Sequence, residues 1–255
     1  MATVGEIAVS LTGICTRVPS GGGGVCRLCH GRPGPGFDTC WSCHEVTSQL
    51  SLPCRLVVPI SLYEIPSQLH HLLNRYKSSQ HPHLHDEFGA KIISLLAYFL
   101  RRHGSCIAEE TGHVGWDVIS TVPSSRQRSG EHPLVSCIRR VQAIDSQYED
   151  LLAPGPVEVR HLSASDDGFR IRRPLTGERV LLVDDTFTSG ARAQSAASVI
   201  NRAGGDVVAI VPIGRVITPG FNESVKEYWV QQKSSPFSFE TCCLEGRVQE
   251  EEEWW

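Results

Sequence analysis

Two apolar runs, Val180 to Val183 and Val207 to Ile213, flank a helical stretch that begins at Gly190 and stops at Gly204-Gly205. A strand, a helix and a strand at this spacing form a crossover unit, which pairs the strands in parallel and lays the helix across them. The same alternation starts at Trp116. Asp117 to Val122 reads as a strand closed by Pro123-Ser124-Ser125, and a helix is expected from about Pro133 to Leu152, with Val135, Ile138, Val141, Ile144 and Leu151 facing inward. Short strands are expected at Val157 to Arg160 and Phe169 to Ile171, around the polar turn Ser163 to Gly168. The fold class is α/β, with a parallel sheet flanked by helices.

Upstream, Leu56 to Ile60 reads as a strand, and a helix follows Pro66 with Leu69, Leu72, Leu73 and Tyr76 on one face. A second helix is expected from about Asp86 to His103, with Phe88, Ile92, Leu95, Leu96 and Phe99 at helical spacing and Arg101, Arg102 and His103 before Gly104 as its C-terminal end. The expected organisation is a flexible segment 1–25 ending in a glycine run, a four-cysteine module 26–50, a helical connecting segment 51–110, the α/β core 111–218, and an irregular C-terminal segment 219–255 with an acidic tail.

The 255 residues carry a formal net charge of −4 and are 40% hydrophobic, enough for a sizeable core without a global pull toward nucleic acid or anionic membrane. The start Met1 to Ser10 lacks the basic and apolar stretches of a secretory signal, and no run of about eighteen apolar residues occurs, so a cytoplasmic location with no membrane partner is expected. Direct nucleic-acid contact is disfavoured by the absence of a clustered basic and aromatic stretch.

At the end of the strand Val180 to Val183 come Asp184-Asp185-Thr186-Phe187-Thr188-Ser189-Gly190-Ala191-Arg192. Ligands of parallel sheets bind at this edge. Backbone N–H groups from Phe187 to Ala191, the hydroxyls of Thr186, Thr188 and Ser189, and the positive end of the next helix together form a cradle for a phosphate. The two carboxylates repel that anion, so they are expected to serve another part of the same ligand, and a sugar diol suits an ionised Asp. A single Asp in such a turn is accounted for as a helix cap; the whole run is not. It points to a ribose 5-phosphate derivative.

These thirteen residues, Val180 to Arg192, resemble the phosphoribosyl pyrophosphate signature of the type I phosphoribosyltransferases. Within that superfamily the chain is most similar to the ComF-like branch, in which a Cys-x-x-Cys zinc module precedes the transferase domain. The resemblance spans about residues 26–215. It implies the type I phosphoribosyltransferase fold, with Asp184 and Asp185 on the ribose hydroxyls and Thr186, Phe187, Thr188, Ser189, Gly190, Ala191 and Arg192 around the 5-phosphate. It assigns pyrophosphate to Ser124, Ser125, Arg126 and Arg128, whose guanidinium groups pair bidentately with phosphate oxygens. It further implies Mg²⁺ with the phosphoribosyl pyrophosphate, a nitrogen acceptor that the sequence does not identify, and a hood over the acceptor built from about 45–80 and 215–245. Lys77 aligns loosely with a basic position of the pattern. Two departures stand out: Arg192 replaces the usual Thr or Ser, and Arg160 to Ala164 lacks the Thr-Gln stretch of the closing segment that precedes Arg170, Arg172 and Arg173. A non-catalytic ligand-binding protein, or an accessory of DNA uptake, is the alternative function.

Cys26, Cys29, Cys40 and Cys43 follow the pattern C-x₂-C-x₁₀-C-x₂-C, the spacing of two knuckles that close an S₄ site for structural Zn²⁺. The His after each pair also matches covalent haem attachment, and Cys40-Trp41-Ser42-Cys43 matches a redox pair. The missing export signal speaks against the first, and the presence of a second pair against the other. The remaining six of the ten cysteines read as ordinary buried thiols. His81, His83 and His85 read as a solvated loop, and Glu250 to Glu253 as a solvated tail.

Overall fold

The computed structural model describes residues 2–78, 81–124 and 131–245. Ser125, Arg126, Arg128 and the acidic tail lie outside the described residues. In chain order the helices are α1 (Val4–Ser10), α2 (Trp41–Thr47), α3 (Gln68–Ser78), α4 (Pro82–Thr111), α5 (Pro133–Ile138), α6 (Gln142–Asp145), α7 (Ala191–Arg202) and α8 (Glu223–Lys233). The strands are β1 (Ser61–Tyr63), β2 (Val118–Thr121), β3 (Leu152–Pro154), β4 (Phe169–Ile171), β5 (Arg179–Phe187) and β6 (Asp206–Val216).

A four-stranded sheet of order β1-β6-β5-β2 is parallel throughout, and β3 and β4 form a separate antiparallel pair. Along β5 the side chains alternate between two apolar layers. Leu181 and Val183 join the layer of α1, α3, α4 and α8, while Val180 and Leu182 join that of α7 and the four-cysteine module. β5 and β6 are therefore apolar on both faces, as a parallel sheet between helices requires. The ladder along β6 begins before β1, with Val58 N–H donating to Ile210 O at 2.8 Å and Ile60 N–H to Pro212 O at 3.0 Å. The face read on α3 is the buried one: Leu69, Leu72, Leu73 and Tyr76. No helix among the described residues is long and apolar enough to cross a membrane.

Five local expectations need correction. Segment 1–25 is not simply a linker: α1 is closed by a Thr3–Glu6 capping box and packs on α4, and Thr16 bridges to Leu62. α4 neither starts at Asp86 nor stops at Gly104: it begins at Pro82, so His81 is its N-cap and His83 and His85, read as loop, are helical. That glycine admits the Trp116 ring, whose nearest atom lies 3.3 Å from where a Cβ would sit, and the helix runs on to a left-handed cap at Gly112, φ +67°. The helix expected over 133–152 breaks at the extended Val141, because the chain returns to pair beside β2, Ile119 N–H donating to Gln147 O at 2.8 Å and Glu149 N–H to Ile119 O at 2.9 Å. Val157 to Arg160 forms no strand; Leu152–Pro154 pairs with β4 instead. The segment after residue 218 is not wholly irregular, since α8 is capped by the Asn222 side chain and buries Tyr228, Trp229 and Gln232.

Candidate functional site

Hydrogen bonding to β6 carries β5 beyond Val183 to Phe187, opposite Arg215, so the paired acids are strand residues. Strand alternation then sends them apart, Asp184 toward α7 and Asp185 toward α3. Asp184 lines a cavity of about 410 Å³, together with residues 186–193 and, across from them, Glu158 to His161. Its Oδ1 accepts the Asp185 N–H at 2.8 Å. Loss of water and the charge of Asp185 push the Asp184 pKa up to about 7, against the pull of Lys77 and Arg192.

Asp185 is only 4% exposed and does not line the cavity. It accepts a hydrogen bond from the Tyr76 hydroxyl and pairs with Lys77 Nζ at 2.5 Å. Burial and the neighbouring carboxylates hold the Tyr76 pKa well above the usual phenol value, so its hydroxyl is a permanent donor to Asp185. Tyr76 is not legible as a partner in the sequence, where it reads as a core residue of α3, whereas Lys77 is the basic position that the resemblance singles out. From β1, Tyr63 donates to Thr186 Oγ1 at 3.4 Å.

The loop after β5 turns at Gly190, φ +85°. A Cβ there would stand 2.3 Å from the buried Phe187 ring, so glycine serves both the left-handed backbone and the close approach. Gly190→Ala is expected to lower stability by roughly 2–4 kcal/mol in urea unfolding, the sum of a left-handed residue and an overpacked ring; an unchanged midpoint would mean that the ring yields freely. The N–H groups of Thr188, Ser189 and Gly190 have no acceptor among the described residues, and α7 points its N-terminus into the same space. Ser189 Oγ accepts from the N–H of Ala191 at 3.4 Å and of Leu162 at 3.2 Å. Leu162, at φ +62°, thereby ties the segment after β3 to the loop.

Arg192 extends along the cavity wall, stacks over Phe169 at 5.4 Å and donates to the Pro123 carbonyl, joining the loop after β2 to α7. Ser124 is half-buried in that β2 loop. Arg173 pairs with Glu149 at 2.5 Å and Glu178 at 2.6 Å, Arg172 with Asp150 at 3.1 Å, and Arg170 donates to Pro154 O, so these three brace β3 and β4 and line no part of the cavity.

Cys26, Cys29, Cys40 and Cys43 are buried, with every Sγ within 4.8 Å of the others. Cys29 Sγ and Cys40 Sγ stand 3.7 Å apart, close to the edge of about 3.8 Å that a tetrahedral zinc thiolate site spans. Cys40 N–H donates to Cys26 Sγ at 3.2 Å, the amide contact that steadies a knuckle sulfur. The donor set fits a structural metal such as zinc. Hydrogen bonds from the other three thiols, aided by Arg215, hold the Cys29 thiol well below the ordinary value. By contrast burial pushes Cys15 and Cys54 up to about 12 and Cys137 to about 11, making them inert thiols.

Arg215, at the end of β6, is 7% exposed and lies against this cluster. Its charge survives burial because the Cys29, Cys40 and Cys43 sulfurs offset the lost hydration. Its Nη1 donates to Thr188 O at 2.8 Å, and the guanidinium stacks over Phe187 at 5.5 Å. One buried cation thus spans from the sulfur cluster to the loop beside the cavity. The sequence carries no signal for it, because Arg215 lies just beyond the expected strand Val207 to Ile213. No protein-family model matches the chain, and no curated protein matches it.

Proposed function

We propose that the chain is a phosphoribosyltransferase-type protein of the ComF-like branch, binding phosphoribosyl pyrophosphate with Mg²⁺ and transferring the phosphoribosyl group to a nitrogen acceptor. The observation that carries the reading is the half-buried Asp184 beside a cavity walled by the N–H groups of Thr188 to Gly190 and the N-terminus of α7. The amides hold the 5-phosphate, and Asp184 accepts from a ribose hydroxyl. Asp185 stands behind it on β5, held by Tyr76 and Lys77 of α3. Acid oxygens alone suit Mg²⁺, whose chemistry when bound is to neutralise the departing pyrophosphate.

In the reaction the bond between the anomeric carbon and pyrophosphate breaks as a nitrogen lone pair arrives. The protein's share is positioning and charge: Asp184 steadies the cationic sugar, and the segment Glu158 to His161 limits water at the opposite wall. No side chain forms a covalent bond. In this reading the four-cysteine module carries structural Zn²⁺ and, through Arg215, braces the phosphate loop.

A second reading, binding without transfer, is favoured by Leu162 and Arg192, which already tether the segment after β3 and the loop after β2 to the phosphate loop and α7. Calorimetry with phosphoribosyl pyrophosphate and Mg²⁺ tests both. Saturable heat is expected, and its absence at millimolar ligand ends the proposal. Pyrophosphate release across a panel of nitrogenous bases separates transfer from binding alone.

A further inference from the structure

His103 and Cys106 lie one turn apart on α4, and Cys242 reaches them from the segment after α8. Their ligating atoms lie within 4.8 Å of one another. His103 is 3% exposed and Cys242 9%, while Cys106 is half-buried and open to solvent on one side. They belong to the layer of α4 and α8, whereas the Cys26 cluster belongs to the opposite layer.

The imidazole is oriented. His103 Nε2 is 3.0 Å from the Phe239 carbonyl, which only accepts, so Nε2 carries the proton and Nδ1 keeps its lone pair. Nδ1 faces Cys106 Sγ at 3.7 Å. A zinc ion with bonds of about 2.3 Å to sulfur and 2.0–2.1 Å to nitrogen sets its S and N ligands about 3.6 Å apart. A ring nitrogen bonded to a backbone carbonyl, with the other aimed at a ligand group, is the usual support of a metal-binding His. The Phe99 ring, 5.0 Å from that of His103, walls one side.

We propose that His103 Nδ1, Cys106 Sγ and Cys242 Sγ hold a second Zn²⁺, with water in the fourth position on the solvent side of Cys106. Two thiolates and an imidazole favour zinc over the hard cations. Binding releases the two thiol protons to solvent, the three ligands supply the electron pairs, and nothing is oxidised. The ion joins α4 to a segment some 136 residues away, which is already held by the His103 bond to Phe239 and by the edge-on packing of Tyr98 on Phe239 at 4.9 Å. A Cys106–Cys242 disulfide is the rival, but it gives no use to the imidazole lone pair directed at the sulfurs.

The test uses the full chain purified with zinc under reducing conditions and desalted. Two zinc per natural chain are expected, and one in Cys106→Ala and in Cys242→Ala. On the natural chain alone, X-ray absorption is expected to give an average of three sulfur and one nitrogen or oxygen ligand per zinc, a readout independent of whether the variants fold. One zinc per chain with four sulfurs overturns the proposal. So do two zinc retained by Cys106→Ala, which means an adventitious surface ion, and a mapped Cys106–Cys242 disulfide in the reduced preparation.

Discussion

Asp184→Asn is expected to stabilise the fold at pH 8 by about 2 kcal/mol while abolishing phosphoribosyl pyrophosphate binding. The carboxyl titrates near 3.8 when free and about 7 in the fold, so the folded chain keeps a proton that the unfolded chain releases. Below about pH 4 both states are protonated and the group costs nothing. Stability is lost as pH rises from about 4 to 7, and above 7 the full cost of a desolvated charge beside Asp185 remains. The figure of about 2 kcal/mol allows for the solvent that reaches a half-buried carboxylate. Asn removes the charge and keeps an amide oxygen for the Asp185 N–H.

The measurement is the difference in urea stability between variant and natural chain across pH 4–8. It should grow up to pH 7 and then level. On the ligand side the Asn oxygen lacks the charge that makes a carboxylate a strong acceptor from a sugar hydroxyl. A variant destabilised at pH 8 would refute the strained carboxylate. A variant that binds the ligand as well as the natural chain would remove Asp184 from the site.

Cys29→Ser is expected to lower the melting midpoint by roughly 20 °C and to disorder the four-cysteine module. Structural zinc contributes on the order of 10 kcal/mol, and each kcal/mol shifts a chain of this size by at least about 2 °C. The damage is not confined to residues 26–50. The cysteines share one apolar layer with Val180, Leu182 and Phe187, and Arg215 depends on their negative charge for its own burial. Losing that charge leaves a buried guanidinium unbalanced against the loop carbonyl of Thr188. Thermal melts with and without added zinc check the idea: an unchanged midpoint in metal-free Cys29→Ser would overturn it.

Local signals carried some features fully. The spacing of Leu69, Leu72, Leu73 and Tyr76 is enough to bury one face of α3, because a helix fixes which residues share a side. The two knuckles are equally local, since four thiols at that spacing close on one point wherever the module sits. α8 has a local signal too: the Asn222 cap precedes Val225, Tyr228, Trp229 and Gln232 at helical spacing. Gly104 misled because a glycine that admits a neighbour's ring and a glycine that ends a helix look alike until Trp116 is in place.

What the sequence by itself determined is the βα crossover at 180–213 and the sulfur cluster, both written in residues close along the chain. What only the tertiary structure decided is how the acids are used. The pairing of β5 with β6 extends to Phe187, and that extent, set by hydrogen bonds to a distant strand, turns Asp184 to the cavity and Asp185 to Tyr76 and Lys77. Side chains alternate with a period of two, so their directions are fixed only once a remote partner has fixed where the strand ends.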